Sequence, residues 1–518
     1  MADILGNTMR RLALIAGLLA FAAQPVAALE LTPLGGFKHG SFKTSAAEIS
    51  AYDPASRRLF VTNSETKVID VLDISDVTAP KKLGSIALTA FGGGPNSVAV
   101  RNGVVAVAVD GKDKQGPGHV AFFRAADLGL IGQVEVGAMP DMVIFSPDGR
   151  YVLAADEGEP DPKDMGRDPE GTVAVIDVSA GFDKATVRLA GFRAFNGLAI
   201  PGSKPVRPGA SFAQGAEPEY IAISADGATA FIGLQEVNAL ATVDIATARV
   251  TAVTGLGFKS YEACPTDVSD KDSKIAIKPH PHVFGLYQPD GIAFFQTGGR
   301  GYIVSANEGD SQDWPAFSEE KRVKELKLDP TVFPSPAEQQ GDWALGRLKT
   351  TTLMGDADGD GDLDEIYSYG ARSMSVWGLD GTLVADTCDA IERQTASRGM
   401  KGFNLNHEDE GGDNRSDDKG PEPEGVAVGV VGGRPYAFVG LERDGGVMVF
   451  DLSDPAHPAP AGYGATRNLD MTPTAPASGD QGPEGVLFIP AETSPSGEPL
   501  LVVSYEVSGT TRIWRITQ

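Results

Sequence analysis

Short apolar runs separated by turn residues recur along the chain. In the clearest case an apolar run at residues 142–145 is followed by a Pro-Asp-Gly turn at residues 147–149, a return run at residues 151–156 and a third run at residues 172–178. Proline presets the first turn position and glycine tolerates a positive φ, so this tripeptide favours a hairpin. The pattern predicts a meander of three antiparallel strands.

The same unit recurs through the sequence, and in each copy one polar residue immediately precedes the first strand. These seven residues are Glu48, Asn96, Asp141, Glu219, Asp290, Glu424 and Glu484. Self-similar strand units of this length are the signature of β-propellers. We therefore predict an all-β fold, a seven-bladed β-propeller in which a strand near residues 29–37 completes the last unit and closes the ring.

The first 28 residues have the pattern of a signal peptide. Arg10 and Arg11 precede an apolar run at residues 12–23, and small residues lead up to a cleavage site after Ala28. We expect residues 29–518 to form a single domain that is periplasmic or secreted. The C-terminal residues 510–518 read as a strand, so no membrane anchor is predicted.

One unit carries a long insertion. The interval between Asp290 and Glu424 is far longer than the one between Asn96 and Asp141, which predicts an excursion at about residues 311–366 in the fifth blade. Long segments inside a compact repeat fold are usually functional or disordered. This one is rich in motifs, so we predict that it belongs to the functional site.

Acidic residues fall at matching places in the units. Besides the residues that precede the first strands, the ends of the second strands carry Asn63, Asp110, Asp156, Glu157, Glu236, Asn307, Glu308, Glu442 and Glu506. Antiparallel pairing places the start of one strand beside the end of the next, so both sets should meet at the mouth of the central channel. Converging carboxylates repel each other unless cations lie among them. This predicts a cation-binding or catalytic surface; the alternative is that the acids cap strand ends.

A second acidic motif lies within the insertion. Alternating aspartates followed by a glycine at the sixth position reproduce the first half of an EF-hand calcium loop. The aspartates are Asp356, Asp358, Asp360, Asp362 and Asp364. Tyr367 stands where the bidentate glutamate would be, so we predict a variant Ca²⁺ loop that Asp364 closes. The alternative is a flexible acidic turn.

The net charge of the chain restricts the classes of molecule that it could bind. The formal net charge of −26 disfavours nucleic acid as a partner and favours divalent cations. Arg415, Lys419 and Arg443 lie in an otherwise acidic region, where they could hold a phosphate or carboxylate group or merely balance the loop charges.

Cys264 and Cys388 are the only cysteines; they form either a disulfide or two separate buried thiols.

At these residues the chain resembles the choice-of-anchor I family. The resemblance rests on residues 305–310, 356–364, 369–377, 415–425 and 506–511 and spans nearly the whole mature chain. It implies a bacterial extracellular propeller, similar in architecture to esterase-like phytase propellers and related to proteins that carry names such as alkaline phosphatase-like protein. The family often bears C-terminal anchors, and the chain departs from it in having none.

Two functional hypotheses follow. In the first, the protein is a metal-dependent phosphoester hydrolase that acts on a small phosphoester or other anionic ligand. Its predicted catalytic residues are Glu157, Glu308, Asp310, Glu424, Arg415 and Arg443, and Glu219, Asp290 and Glu484 are predicted Ca²⁺ ligands at the mouth. In the second, the same Ca²⁺ ions only stabilise an extracellular binding or adhesion module. Under both hypotheses we expect the protein to be a monomer.

Overall fold

The computed structural model describes residues 28–475 and 477–518, so the predicted signal peptide, except Ala28, lies outside the described residues. The described chain contains seven four-stranded antiparallel sheets. In five of them the four strands follow one another directly in the sequence. In a sixth the insertion separates the second strand from the third. The seventh combines three C-terminal strands with the first strand of the chain. The predicted all-β class is confirmed.

Strands are numbered in chain order. The first sheet is β2 (Ser50–Asp53), β3 (Arg58–Asn63), β4 (Val68–Asp73) and β5 (Lys81–Ala87); the second is β6 (Pro95–Arg101), β7 (Val104–Val109), β8 (Pro117–Arg124) and β9 (Leu130–Ala138); the third is β10 (Pro140–Phe145), β11 (Tyr151–Asp156), β12 (Thr172–Asp177) and β13 (Thr186–Gly191); the fourth is β14 (Pro218–Ile223), β15 (Thr229–Leu234), β16 (Ala239–Asp244) and β17 (Arg249–Gly255).

The remaining sheets continue the order. The fifth is β20 (Ile292–Thr297), β21 (Arg300–Ala306), β27 (Met374–Trp377) and β28 (Leu383–Asp386); the sixth is β29 (Pro423–Val431), β30 (Arg434–Leu441), β31 (Gly446–Asp451) and β32 (Ala459–Ala465); the seventh is β33 (Pro483–Ile489), β34 (Leu500–Tyr505), β35 (Thr510–Thr517) and β1 (Glu30–Lys38). Short helices connect some strands: α1 (Phe212–Gly215), α2 (Pro336–Gln339), α3 (Ala390–Ala396) and the 3₁₀ turns Phe182–Lys184, Arg193–Phe195, Val323–Glu325 and Met400–Gly402.

The first strands of the seven sheets form a closed ring. Each lies against the first strand of the next sheet, and β33 of the seventh sheet lies against β2 of the first. A hydrophobic cluster fills each of the seven interfaces between neighbouring sheets. Sheets arranged radially about a channel, with the core between them, make this fold a β-propeller.

The N-terminal strand closes the ring as the sequence predicts. β1 pairs antiparallel with β35, so the ends of the described chain share one sheet. His39, directly after β1, reinforces the junction: its Nδ1 lies 2.8 Å from Asp70 Oδ2 in the first sheet and its Nε2 lies 3.0 Å from Thr511 Oγ1 in the seventh. The His39 and Asp70 side chains are completely buried, so these polar contacts form part of the core that joins the two sheets.

A second segment of the chain folds together with the insertion. Between β21 and β27 the chain forms β22 (Asp313–Trp314), β23 (Phe317–Ser318), β24 (Glu320–Arg322), β25 (Lys349–Thr351) and β26 (Ile366–Ser368). The connection between the fourth and fifth sheets contributes β18 (Phe258–Ser260) and β19 (Val283–Leu286), and β19 pairs in parallel with β26. A separate hydrophobic cluster that includes Tyr261, Phe333 and Leu348 joins the two segments. Because β19 and β26 are far apart in the sequence, their parallel pairing produces no local sequence pattern.

Cys264 and Cys388 form a disulfide, which decides between the two alternatives that the sequence left open. Their Cα atoms lie 5.1 Å apart across a sequence separation of 124 residues. The bond joins the connection that contains β18 to the segment just after β28. It therefore fastens the inserted segments to the fifth sheet of the propeller.

No helix in residues 28–475 and 477–518 combines the length and apolar character needed to span a bilayer.

The long separation of the two cysteines predicts a clear loss of stability when the bond is removed. Replacing both residues, Cys264→Ser with Cys388→Ser, should lower the free energy of unfolding by about 2–4 kcal/mol, because the unfolded chain regains the entropy that the cross-link removes. Differential scanning calorimetry with and without reducing agent measures this. Reductant should lower the melting temperature of the parent protein only; equal sensitivity of the double variant would contradict the assignment.

Candidate metal centre at the channel mouth

Proline and a β-bulge mark the polar residue at the start of most of the first strands. In six of the sheets this residue directly follows a proline, in the pairs Pro95-Asn96, Pro140-Asp141, Pro218-Glu219, Pro289-Asp290, Pro423-Glu424 and Pro483-Glu484. In five of these sheets the strand register shifts directly after the proline, as a bulge requires. Proline donates no backbone hydrogen bond, and a bulge redirects the side chain of the extra residue. The repeated pair of proline and a polar residue is therefore a second sequence signal for these positions, besides the spacing of the acids.

Glycine lets adjacent first strands approach closely at the same place. A Cβ atom on Gly425 would lie 2.0 Å from the Glu484 carbonyl oxygen, and one on Gly485 would lie 2.3 Å from the Glu48 carbonyl oxygen. Any larger residue would force these strands apart. The glycines therefore set the spacing of the acids that precede them.

The second strands end beside these positions, as the antiparallel pairing requires. The backbone N–H of Glu157 donates to the Met139 carbonyl over 2.9 Å, and that of Glu506 donates to the Gly482 carbonyl over 2.7 Å. Two circles of polar residues consequently share one rim. We call this rim the channel mouth; its residues are Glu48, Asn96, Asp141, Glu219, Asp290, Glu424, Glu484 and Asp110, Glu157, Glu236, Glu308, Glu442 and Glu506.

Burial and mutual repulsion favour the neutral form of several channel-mouth carboxylates. Burial, followed by repulsion from other acids, raises the pKa of Glu157, Glu219, Asp290 and Glu424 well above the usual range. Glu484 behaves in the same way. A divalent cation would restore the ionised forms.

Three of these acids converge on one point. Ligand oxygens of Asp290, Glu308 and Glu424 all lie within 4.8 Å of one another. Oε2 of Glu424 is buried and has no hydrogen-bond partner among the described residues. Glu308 accepts hydrogen bonds from Lys419 Nζ at 2.5 Å and Gln235 Nε2 at 3.1 Å. The set offers only oxygen ligands, which suit a hard cation such as Ca²⁺.

Asp310, another predicted catalytic residue, lies outside this group of three. Its side chain is exposed, and its backbone carbonyl accepts a hydrogen bond from Gln288 Nε2 over 2.6 Å. Surrounding protein raises its pKa, while Lys419 lowers it. Asp310 thus lies where the insertion leaves the channel mouth.

The three predicted anion-binding cations are engaged with carboxylates, and all three meet at a single glutamate. Glu422, which the sequence analysis did not select, is completely buried and pairs with Arg415, with Lys419 at 3.2 Å and with Arg443 at 3.0 Å. These three charges hold its pKa well below the usual range against the effect of burial. Arg415 also pairs with Asp418 at 2.8 Å. Within the described structure this arrangement fits charge balance better than a free phosphate site.

The aspartates of the loop in the insertion fall into two groups according to their contacts. Ligand oxygens of Asp356, Asp358 and Asp360 lie within 4.8 Å of one another. Asp362 instead pairs with Lys327 over 2.9 Å, and Asp364 accepts from the Ala357 backbone N–H over 2.8 Å. Gly361 at the sixth position has φ 92°, as a tight loop requires.

Tyr367, at the twelfth position of this loop, belongs to the core. Its ring stacks on Phe284 with the centroids 5.3 Å apart, and its hydroxyl donates to Glu365 over 2.5 Å. The loop therefore presents three aspartates at the surface, without the bidentate glutamate of a complete EF-hand.

Comparisons with known proteins give a family model and partial relatives. Residues 48–455 match the model of the Choice-of-anchor I domain. Gigasin-3a of Magallana gigas is 33% identical over 190 residues, which are 34% of this chain and 66% of that protein. The mesenchyme-specific cell surface glycoprotein of Strongylocentrotus purpuratus is 27% identical over 280 residues, 47% of this chain and 36% of that protein. The chain thus spans less than two thirds of either relative.

Among solved structures, Kuenenia stuttgartiensis hydrazine synthase is similar over 92% of this chain and 97% of that chain. The sequence identity is 13% and the TM-score is 0.48.

Glu422 should be essential for stability. Glu422→Gln removes the one buried carboxylate that all three cations share and leaves each of them with a single other carboxylate partner, so the free energy of unfolding should fall by about 3 kcal/mol. Urea denaturation followed by tryptophan fluorescence measures the change. The exposed Glu498→Gln provides the matched control, and equal stability of the two variants would show that Glu422 does not hold the cations together.

The raised pKa values predict an unusual pH dependence for metal-free protein. Burial raises the pKa of Glu308 and Glu442 from 4.5 to about 7, so between these values the folded state binds more protons than the unfolded state. Stability should therefore decrease as the pH rises through this window. Thermal melts of chelator-treated protein from about pH 5 to about pH 8 test the sign, and added Ca²⁺ should flatten the curve. A rise in melting temperature over this range without metal would contradict the prediction.

Proposed function

The chain belongs to the choice-of-anchor I family, and from this premise we propose that it is an extracellular seven-bladed propeller whose channel mouth binds Ca²⁺. The convergence of Asp290, Glu308 and Glu424 carries the proposal. The disulfide between Cys264 and Cys388 suits an oxidising compartment. The predicted signal peptide and the similarity to a cell surface glycoprotein support the same location.

The donor set fits a hard divalent cation. Glu424 Oε2 is a buried oxygen without a hydrogen-bond partner in the described structure, and metal coordination would satisfy it. Asp290 and Glu424 keep part of their surface exposed, so an ion can reach them from the channel. Ca²⁺ takes six to eight oxygen ligands, which leaves positions for water, Glu484 or a bound anion.

The aspartate loop is proposed as a second, separate Ca²⁺ site. Asp356, Asp358 and Asp360 would supply side-chain oxygens, as the first three ligands of an EF-hand do. The missing glutamate predicts weaker binding than in a complete EF-hand. Its role would be to order the insertion.

Phosphoester hydrolysis is the second candidate function. The observation that favours it is the position of Arg443, which pairs with Glu442 of the channel mouth over 3.2 Å: its side chain is 23% exposed, and its Nε has no hydrogen-bond partner in the described part of the chain. A bound Ca²⁺ would supply Lewis-acid polarisation of a phosphoryl oxygen. Arg443 would orient the anion, and carboxylates such as Glu157 and Glu308 would accept a proton from the attacking water.

Calcium binding can be measured directly. Isothermal titration of chelator-treated protein with Ca²⁺ should give binding that Glu424→Gln weakens at least tenfold, because one charged ligand is lost. Glu498→Gln should bind as the parent does. Unchanged binding by the Glu424 variant would exclude this centre.

Hydrolysis needs its own assay. A panel of phosphomonoesters and phosphodiesters, incubated with protein and Ca²⁺, then with chelator and then with restored Ca²⁺, separates the two functions. Turnover that follows Ca²⁺ and is absent from Glu308→Gln with Glu424→Gln supports the hydrolase. Calcium binding without turnover leaves a calcium-stabilised binding module.

A further inference from the structure

The two segments that fold together beside the fifth sheet form a cavity of about 390 Å³. One wall comes from residues between 278 and 282, which lead into β19, and the other from residues between 332 and 345, in the insertion between β24 and β25. None of the lining residues belongs to the channel mouth. Ligand cavities in proteins range from about 300 to about 1,000 Å³, so this volume suits a single small molecule.

The body of the cavity is apolar. Val332, Phe333 and Leu345 line it, and they also belong to the hydrophobic packing that joins the two segments. The His282 ring meets the Phe333 ring edge-on, with the centroids 5.9 Å apart. Walls of this kind bind the hydrocarbon or aromatic part of a ligand, because its surface leaves water there.

Hydrogen bonds fix the wall that the insertion contributes. The Leu345 backbone N–H donates to the Gln339 carbonyl over 2.9 Å. Nε2 of Gln340 donates to the carbonyls of Val323 and Leu326, both over 2.8 Å. The fold itself thus shapes the cavity, so a ligand would not have to order this wall when it binds.

The charge of the lining differs from that of the protein as a whole. The chain has a formal net charge of −26, yet the described residues that line the cavity include no Asp or Glu, and Lys278 is their only Lys or Arg. The Lys278 side chain is exposed and pairs with no carboxylate of the described chain. Burial lowers the pKa of the neighbouring His280 to about 4, so that ring is neutral at neutral pH. The rim of the cavity is therefore complementary to an anion.

One polar atom of the lining lacks a partner. Gln339 Oε1 is buried and accepts no hydrogen bond within the described chain. A buried acceptor without a donor is costly, and proteins usually satisfy such atoms with protein groups, water or a ligand. A hydroxyl group on a bound molecule would supply the missing donor.

We propose that this cavity binds a small apolar carboxylate, with the hydrocarbon part against Phe333 and Leu345, the carboxylate at Lys278 and a hydroxyl group at Gln339 Oε1. The apolar walls, the unpaired ammonium and the unpartnered acceptor are the three observations that select this ligand class. The site goes beyond the proposed function, because neither its residues nor its ligand involve Ca²⁺.

The test uses phenyllactate, which combines an aromatic body, a hydroxyl group and a carboxylate. Isothermal titration should give one equivalent bound. The neutral phenyllactamide should bind about fivefold more weakly, since an exposed ion pair contributes about that factor at most. Phenylpropanoate, which lacks the hydroxyl group, should also bind more weakly than phenyllactate.

Two variants place the ligand in this cavity. Lys278→Gln should lower the affinity for phenyllactate to that of the amide, whereas the matched control Lys274→Gln, in the same exposed segment, should bind as the parent does. Ala344→Phe puts a ring into the cavity from its half-buried wall and should abolish binding. The melting temperature of each variant shows whether it folds; Lys278→Gln changes only an exposed side chain and is expected to melt as the parent does.

The outcomes decide the proposal. Binding that Lys278→Gln weakens and Ala344→Phe abolishes supports the site. Equal affinity for phenyllactate and phenyllactamide, parent-like binding by folded Ala344→Phe, or no binding of any of the three probes at millimolar concentration overturns it. Ca²⁺ titrations of the same variants should match the parent protein, so this site and the Ca²⁺ centre can fail independently.

Discussion

The closed ring of first strands is the constraint on which the chemistry of this protein depends. Each sheet can enter the ring only with its first strand beside the channel, so whatever residue precedes that strand must face its counterparts from the other sheets. Here the counterparts are nearly all acids. A single acid at such a place would be an ordinary strand cap, whereas a circle of them creates a field that none could create alone.

Positive charge is distributed unevenly around the channel mouth. Near the sixth sheet, Arg415, Lys419 and Arg443 surround Glu422 and hold it ionised. Toward the third and fourth sheets the carboxylates have few positive neighbours, and Glu219 and Glu236 retain unpartnered oxygens. Among the described residues, protein cations thus neutralise chiefly the side of the rim near the sixth sheet.

Much of the fold could be predicted from the sequence because it is repetitive and local. Tyr151–Asp156 is predicted to the residue, and the closing strand is predicted from the unit that lacks one. The convergence of acids followed from antiparallel pairing alone. The pairing of β19 with β26 could not be predicted, since it joins a segment that precedes the fifth sheet to one inserted within that sheet and has no local periodicity. Glu422 was missed because it lies just outside the repeated position, and its importance comes from three partners that only folding assembles.

The pairing of β1 with β35 also has a consequence for how the molecule acquires its structure. The contact between Leu31 and Ile516 joins residues from opposite ends of the described chain, so the seventh sheet cannot be complete until almost the whole polypeptide has emerged from the ribosome. Until then both the first and the sixth sheets expose an apolar face. A chain of such high contact order folds slowly and is prone to association with other unfinished chains. Export in an unfolded form would postpone this step until all strands are available together.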